Sequence, residues 1–201
     1  MYYVMFVGTG QEDKTRQMIE EMVPDSLYQE CFYPMRIMKK KIRGKWLTTK
    51  ETLTPGYLFI RTDQVLAFYK KLQFIPGLTR LLGMDQEVSK QSLGQDQLFY
   101  SLPPREEEWL LKMTGHGSDH SLNAVKPASE GDNSEKDYTI GLSQVTFDEN
   151  DQVVIHSGPL VGMEGRIKKI NLHKRRAEVE VVFMGRETIF HMGIELLDKA
   201  I

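Results

Sequence analysis

A single cysteine, Cys31, stands in the 201 residues, so no intramolecular disulfide can staple this chain. The expectation is a fold suited to a reducing, cytoplasmic setting. No run of about eighteen apolar residues occurs, which excludes a membrane-spanning helix on length alone. The first apolar stretch, Tyr2 to Val7, lacks a basic lead-in and a small-residue cleavage site, and has a strand's length rather than a signal's. Patterns that carry chemistry are also scarce. Gly8-x-Gly10 lacks the third glycine of a dinucleotide loop, and Glu12 and Asp13 would repel a phosphate there. Gly141-Leu142-Ser143-Gln144-Val145 is one glycine short of a nucleophile elbow. His116 and His120 share helical spacing, but Gly115 and Gly117 oppose a helix, and two unaided imidazoles make a weak metal site. Cys31 has no histidine at a telling spacing and suits a small semi-buried thiol. The chain is expected to be no enzyme and to hold no metal or cofactor.

What is present is charge, unevenly placed. The formal net charge is −2, which by itself argues nothing about partners. Between Met35 and Lys50, however, seven cations (Arg36, Lys39, Lys40, Lys41, Arg43, Lys45, Lys50) stand without one acid. Arg166 to Arg176 holds six more (Arg166, Lys168, Lys169, Lys174, Arg175, Arg176), together with His173. Between the two, Gly115 to Asn150 carries seven acids against Lys126 and Lys136. Such runs are either solvated surfaces that discourage edge pairing or contacts to nucleic-acid phosphates, with Trp46 available for stacking.

The apolar pattern divides the rest. Tyr2 to Val7 is a buried central strand by its continuous hydrophobicity. A helix is expected from about Gln11 to Val23, with Met18, Ile19, Met22 and Val23 inward and Pro24 as its stop. Glu30 to Thr52 suits a hairpin with a basic tip at Arg43-Gly44-Lys45. Leu53 to Ile60 is a turn entering a strand. A second helix, about Gln64 to Gln73, has Thr62 or Asp63 as its cap. A third, Pro103 to Met113, places Trp109, Leu110 and Met113 inward. This order describes an α+β domain, an antiparallel sheet with helices packed on it.

The stretch 115–146 has the composition of a flexible acidic linker, whose end, Tyr138 to Leu142, is apolar enough to pack. From Phe147 onward the chain is β-rich. Val153-Val154-Ile155 and Arg166 to Ile170 flank the turn Gly158-Pro159-Leu160-Val161-Gly162, where Gly158 and Gly162 can take positive φ. Ala177, Val179, Val181 and Phe183 alternate at period two before a second turn at Gly185-Arg186. Short strands joined by glycine turns in about fifty residues predict a small β-barrel. Three segments are therefore expected: 1–114, 115–146 and 147–201.

Several of these residues carry a resemblance. Leu53-Thr54-Pro55-Gly56-Tyr57-Leu58-Phe59 resembles the phenylalanine-proline-glycine-tyrosine strand of the N-terminal (NGN) domain of the NusG family of transcription elongation factors. Thr54 stands where that family commonly has an aromatic. Tyr3-Val4-Met5 with Gly8 and Gly10 is similar to that domain's first strand, and Gly77-Leu78-Thr79-Arg80-Leu81-Leu82-Gly83 to a later one. Gly158 to Ile167 resembles the turn of the family's KOW domain, an SH3-like barrel. The Gly77–Gly83 run, the Lys-Arg-Arg hairpin and the long acidic linker look most like LoaP, a branch of specialised antitermination factors. One relative, RfaH, refolds this domain into helices, but the β-branched alternation at Ala177 to Phe183 predicts a lasting barrel.

The resemblance implies a set of partners. Tyr3, Pro55, Tyr57, Phe59 and Leu82 would grip the clamp helices of bacterial RNA polymerase, and Lys39, Lys40, Lys41, Arg43 and Lys45 would face upstream DNA. Lys168, Lys169, His173, Lys174, Arg175 and Arg176 would contact nascent RNA, including a structured leader. Phe183, Met184 and Arg186 would form the loop that docks ribosomal protein S10 or Rho, with Met184 replacing a common phenylalanine and weakening the case for Rho. The implied molecule is a cytoplasmic monomer acting as a processive antiterminator and binding no membrane. Its competitors are a general NusG bridging polymerase to Rho or S10, and a ribosome- or RNA-associated KOW protein.

Overall fold

The computed structural model describes residues 1–76, 80–81, 99–116, 138–147 and 153–197. They fall into two compact units, Met1–Tyr33 with Thr54–Glu107, and Pro34–Leu53 with Glu108–Ile201.

The first unit is built on β1 (Tyr2–Phe6), which lies inside a sheet ordered β2 (Glu30–Phe32), β5 (Tyr57–Arg61), β1, β6 (Arg80–Leu81). β1 pairs antiparallel with β5, placing Val4 opposite Phe59 and Phe6 opposite Tyr57. Tyr3, Met5, Val7, Leu58 and Ile60 pack in one core with Ile19 and Val23 from the first helix and Val65, Phe68 and Leu72 from the second. Tyr2, Val4 and Phe59 are buried as well. That is why the run reads as unbroken hydrophobicity rather than alternation. Helix α1 (Glu12–Met22) opens with Glu12 and Asp13 in its first turn. Helix α2 (Val65–Leu72) follows Thr62, whose hydroxyl accepts from the Gln64 N–H at 2.8 Å and donates to the Leu27 carbonyl at 2.7 Å. The N-cap itself is Gln64, with no side-chain capping bond, so neither expected cap, Thr62 nor Asp63, holds that position, and Thr62 braces the turn before it. Helix α3 (Pro104–Met113) begins in the first unit and ends in the second.

Residues 30 to 52 form three strands instead of a plain hairpin. β2 pairs with β5, whereas β3 (Met35–Ile42) pairs with β4 (Lys45–Thr52). The break falls at Pro34, which has no N–H to continue a ladder. The Leu53 N–H closes the hairpin base on the Pro34 carbonyl at 2.8 Å. Consequently the basic hairpin, although it lies in the N-terminal half of the sequence, groups with the C-terminal strands. Its tip is a two-residue turn with Arg43 at φ 50° and Gly44 at φ 81°, the type I′ geometry that matches strand twist.

In the second unit β7 (Thr139–Ile140) pairs parallel to β3. This strand and the start of β8 (Ser143–Phe147) lie inside the stretch that composition assigns to a linker; residues 117–137 of that stretch lie outside the described residues. The C-terminal sheet runs in the order β10 (Ile167–Asn171), β11 (Arg176–Phe183), β12 (Arg186–Leu196), β8, β9 (Val153–Ser157). Ala177, Val179, Val181 and Phe183 are buried at period two, as expected of a half-exposed strand. Gly158 takes φ +95°, and a Cβ there would collide with the Leu142 carbonyl and Ser143. The Ser143 hydroxyl accepts from the Leu160 N–H at 3.0 Å, so this buried serine anchors the turn. The α+β class and the small C-terminal β-structure are both as the sequence indicates.

The hairpin meets β12 at Gly193, where a Cβ would strike the Ile37 carbonyl and the Leu142 side chain. Because a backbone atom blocks the way, the clash cannot be relieved by a rotamer change. Gly193→Ala is therefore expected to destabilise the chain by about 1–3 kcal/mol, a fall in Tm of about 2–12 °C. Gly165→Ala, with nothing within 4 Å of its Cβ, should leave the thermal melt nearly unchanged.

Candidate functional site

The end of the first sheet carries an aromatic surface. Pro55 is exposed and Tyr57 half-buried, while Phe6 is 37% exposed and meets Tyr57 edge-on, their rings 5.5 Å apart. The turn beside them is tightly held. Gly56 sits at φ +88°, a Cβ there would lie 3.2 Å from the Phe6 ring, and its N–H donates to the buried Glu12 carboxylate at 2.6 Å. Its carbonyl accepts from the Val7 N–H at 2.8 Å. Glu12 thus ties α1 to the Pro-Gly turn, a role beyond complementing the helix dipole.

Two expected members of this surface are elsewhere. Phe59 is fully buried, stacked on Phe32 at 5.7 Å, and Tyr3 is buried edge-on to Phe99. Both face inward because β1 and β5 are covered on both sides, so motif position alone misassigns them. Leu82 lies outside the described residues. Phe6 was missed by the sequence reading; its signal is that it ends the apolar run beside Gly8 and pairs with the Tyr57 position.

The second unit brings the basic segments together. Hairpin cations and barrel cations, far apart in sequence, adjoin because β3 runs along β12. Lys39 pairs with Glu195 at 2.8 Å, and Arg36 donates to the His191 carbonyl at 2.9 Å. Lys40 pairs with Glu51 at 2.7 Å. The Lys40 hydrogen bond, assisted by the nearby Lys40 and Arg36 charges, holds the Glu51 carboxyl below its usual value against partial burial. Lys39 and Lys40, both expected to face DNA, thus each lie beside an acid. Lys41, Arg43 and Lys45 remain exposed at the tip, with no ion pair among the described residues.

The barrel cations divide in the same way. Lys168 pairs with Glu180 at 2.7 Å, and Arg176 lies 3.7 Å from Glu178, half-buried beside Arg36 and His191. Lys169, His173 and Lys174 are exposed. Arg175 stands over the Trp46 ring at 5.3 Å, which joins the two patches. Phe183, expected to greet a partner, is only 4% exposed: Trp109 lies against it at 5.6 Å and stacks on Phe190 at 5.4 Å. Met184 takes φ 53° in the following turn, and Arg186 is exposed.

The remaining reactive groups serve the fold. Burial pushes the Cys31 thiol up to about 12, so it stays protonated and unreactive at neutral pH. His116 stacks on Tyr138 at 4.3 Å; His120 lies outside the described residues. No group of three metal-capable side chains occurs among the described residues, and no described helix is long and apolar enough to cross a membrane.

The family model described as transcription termination factor nusG matches residues 1–96. The chain is 24% identical to the transcription termination/antitermination protein NusG of Thermus thermophilus, over 99% of this chain and 98% of that protein. The chain is thus similar to NusG proteins, through the family model over residues 1–96 and through these relatives over nearly its whole length. The NusG of Bacillus subtilis is 22% identical, over 98% of this chain and 97% of its own length. A solved structure, described as domain interaction in Thermotoga maritima NusG, shares 18% identity with a TM-score of 0.49, covering 96% of this chain and 92% of that one. The aromatic surface at Phe6, Pro55 and Tyr57 lies in the part matched by the family model, whereas the barrel cations lie beyond it.

His191 makes the second unit sensitive to pH. Burial lowers its pKa from 6.5, reinforced by Arg176, Arg36 and Lys174 and opposed by Glu178. The folded state therefore favours the neutral ring. Its contribution is complete above the unfolded value and is lost as pH falls from about 6.5 through the lowered folded value. Urea midpoints should decline as pH drops below about 6.5, and His191→Gln should flatten that decline.

Proposed function

We propose that this chain is a transcription elongation factor acting as a processive antiterminator. It attaches to bacterial RNA polymerase through Phe6, Pro55 and Tyr57 and contacts nucleic acid through the basic surface of its second unit. The observation that carries the reading is the partly exposed Phe6–Tyr57 pair beside Pro55, at the sheet end within residues 1–96. An aromatic cluster of this kind supplies large contact area at little entropic cost. The names of the relatives, termination/antitermination proteins, support the process.

The LoaP-type specialisation rests on the resemblance and on the second unit. Met184 stands where the family commonly presents a phenylalanine, and a flexible thioether is a weaker anchor than a ring. Phe183 beside it is covered by Trp109. Both weigh against Rho as the barrel's partner and favour nascent RNA, contacted from Lys169, His173, Lys174 and Arg175. Upstream DNA would be met by Lys41, Arg43 and Lys45. The two compact units, Met1–Tyr33 with Thr54–Glu107 and Pro34–Leu53 with Glu108–Ile201, would act as separate binding modules on one chain, raising the local concentration of the second at the transcript.

Tyr57→Ala should abolish co-purification with RNA polymerase while costing only about 1 kcal/mol of stability, since one edge-on ring contact is lost. Phe59→Ala removes a buried ring and should cost about 3–5 kcal/mol, visible as loss of the folded circular dichroism spectrum. In a terminator-readthrough assay, the chain should raise readthrough, and more so when the cognate operon's leader RNA is transcribed. Increased Rho-dependent termination would instead support a general NusG. Failure of the intact chain to bind polymerase would support a ribosome- or RNA-associated role.

A further inference from the structure

We propose that the β3–β4 tip and the β10–β11 turn form one composite site for a single-stranded polynucleotide, with Trp46 as its base-stacking platform. The inference rests on the nucleic-acid part of the proposed function and needs no polymerase.

The register sets the platform. Trp46 is the cross-strand partner of Lys41, so their side chains leave the same face of the hairpin, the face that Lys39 shares two residues away. Lys39 is bound to Glu195 on β12, which turns this face toward the barrel strands. From the barrel, the turn after Asn171 delivers Arg175. That turn is held by the Asn171 side chain accepting from the Lys174 N–H at 3.0 Å, and by the Ile194 N–H donating to the Arg175 carbonyl at 3.0 Å. Arg175 itself takes φ 50°, a left-handed conformation kept only where the surroundings determine it. Both turns are thus built before any ligand arrives.

The chemistry points to single strands. Lys41, Arg43, Lys45, Lys174 and Arg175 form no ion pair among the described residues, unlike Lys39, Lys40, Lys168 and Arg176 around them. Five unneutralised cations beside one half-exposed indole give both a track for phosphates and a flat surface for a base. The indole face is now covered by a guanidinium at 5.3 Å. An exposed cation–π contact is worth a few-fold in affinity, whereas a base on an aromatic is worth roughly 5- to 100-fold. A base therefore takes that face, and the released Arg175 pairs with a phosphate. A duplex keeps its bases stacked and could offer only its phosphates.

The test is fluorescence anisotropy of the full chain with a short labelled oligouridylate, the matching oligothymidylate and a short duplex. The oligouridylate should bind with one-to-one stoichiometry and tighter than the duplex. Trp46→Ala should weaken it roughly 5- to 100-fold, Trp46→Phe by only a few-fold, with the folded circular dichroism spectrum retained in both. Lys45→Gln on the hairpin and Lys174→Gln on the barrel should each flatten the salt dependence by about 0.7 in slope. Equal affinity for the two oligonucleotides would identify the shared phosphate-and-base chemistry as sufficient, and preference for oligouridylate would identify RNA as the source; either supports the site. If the Lys174 variant weakens binding and the Lys45 and Trp46 variants do not, the composite site is overturned while barrel–RNA contact stands. If the duplex binds as tightly as the single strand, the stacking platform is overturned. If no oligonucleotide binds, both this inference and the RNA part of the proposed function fail.

Discussion

The close approach of β3 to β12 is the constraint on which the second unit depends. Gly193 lets the Ile37 backbone come within a distance that no side chain would allow, and everything nearby follows from that contact. Arg36 reaches the His191 carbonyl, Lys39 reaches Glu195, and Trp46 comes under Arg175. The ion pairs are partly exposed, and such pairs contribute little individually. Burial of Met38, Ile140, Met192 and Ile194 supplies the larger stabilisation.

The first unit solves a different problem. Its central strand is covered on both faces, so aromatic side chains at its motif positions are core by default. Only at the end of β1 and β5, where the Pro55-Gly56 turn is pinned by Glu12 and the Val7 N–H, do Phe6 and Tyr57 emerge together. Two partly exposed rings are thereby attached beside a hydrogen-bonded turn, which leaves them little side-chain freedom to lose in any contact.

Much of this was legible from residue pattern. The helices α1, α2 and α3 begin and end within a residue or so of their caps and prolines, and the positive φ at Gly158 and Gly162 was expected from the turn. The alternation from Ala177 to Phe183 marked its strand. Less legible was the fate of individual charges. Nothing local distinguishes Lys39 from Lys41, yet one is bound to Glu195 and the other is exposed. Phe59 and Tyr57 likewise share one motif, and only sheet coverage separates core from surface. Pro34 carried a visible signal, a missing N–H, but not the information that the strands after it would change partners.

The sequence by itself determined the three helices, the α+β class, the NusG-like motifs and the existence of two basic segments, because propensity, period and turn chemistry act over a few residues. Tertiary structure alone decided that the two basic segments adjoin. It also decided which of their cations remain exposed and that Trp109 covers Phe183. Each of these depends on strands brought together from distant parts of the chain, and short-range pattern contains no record of that distance.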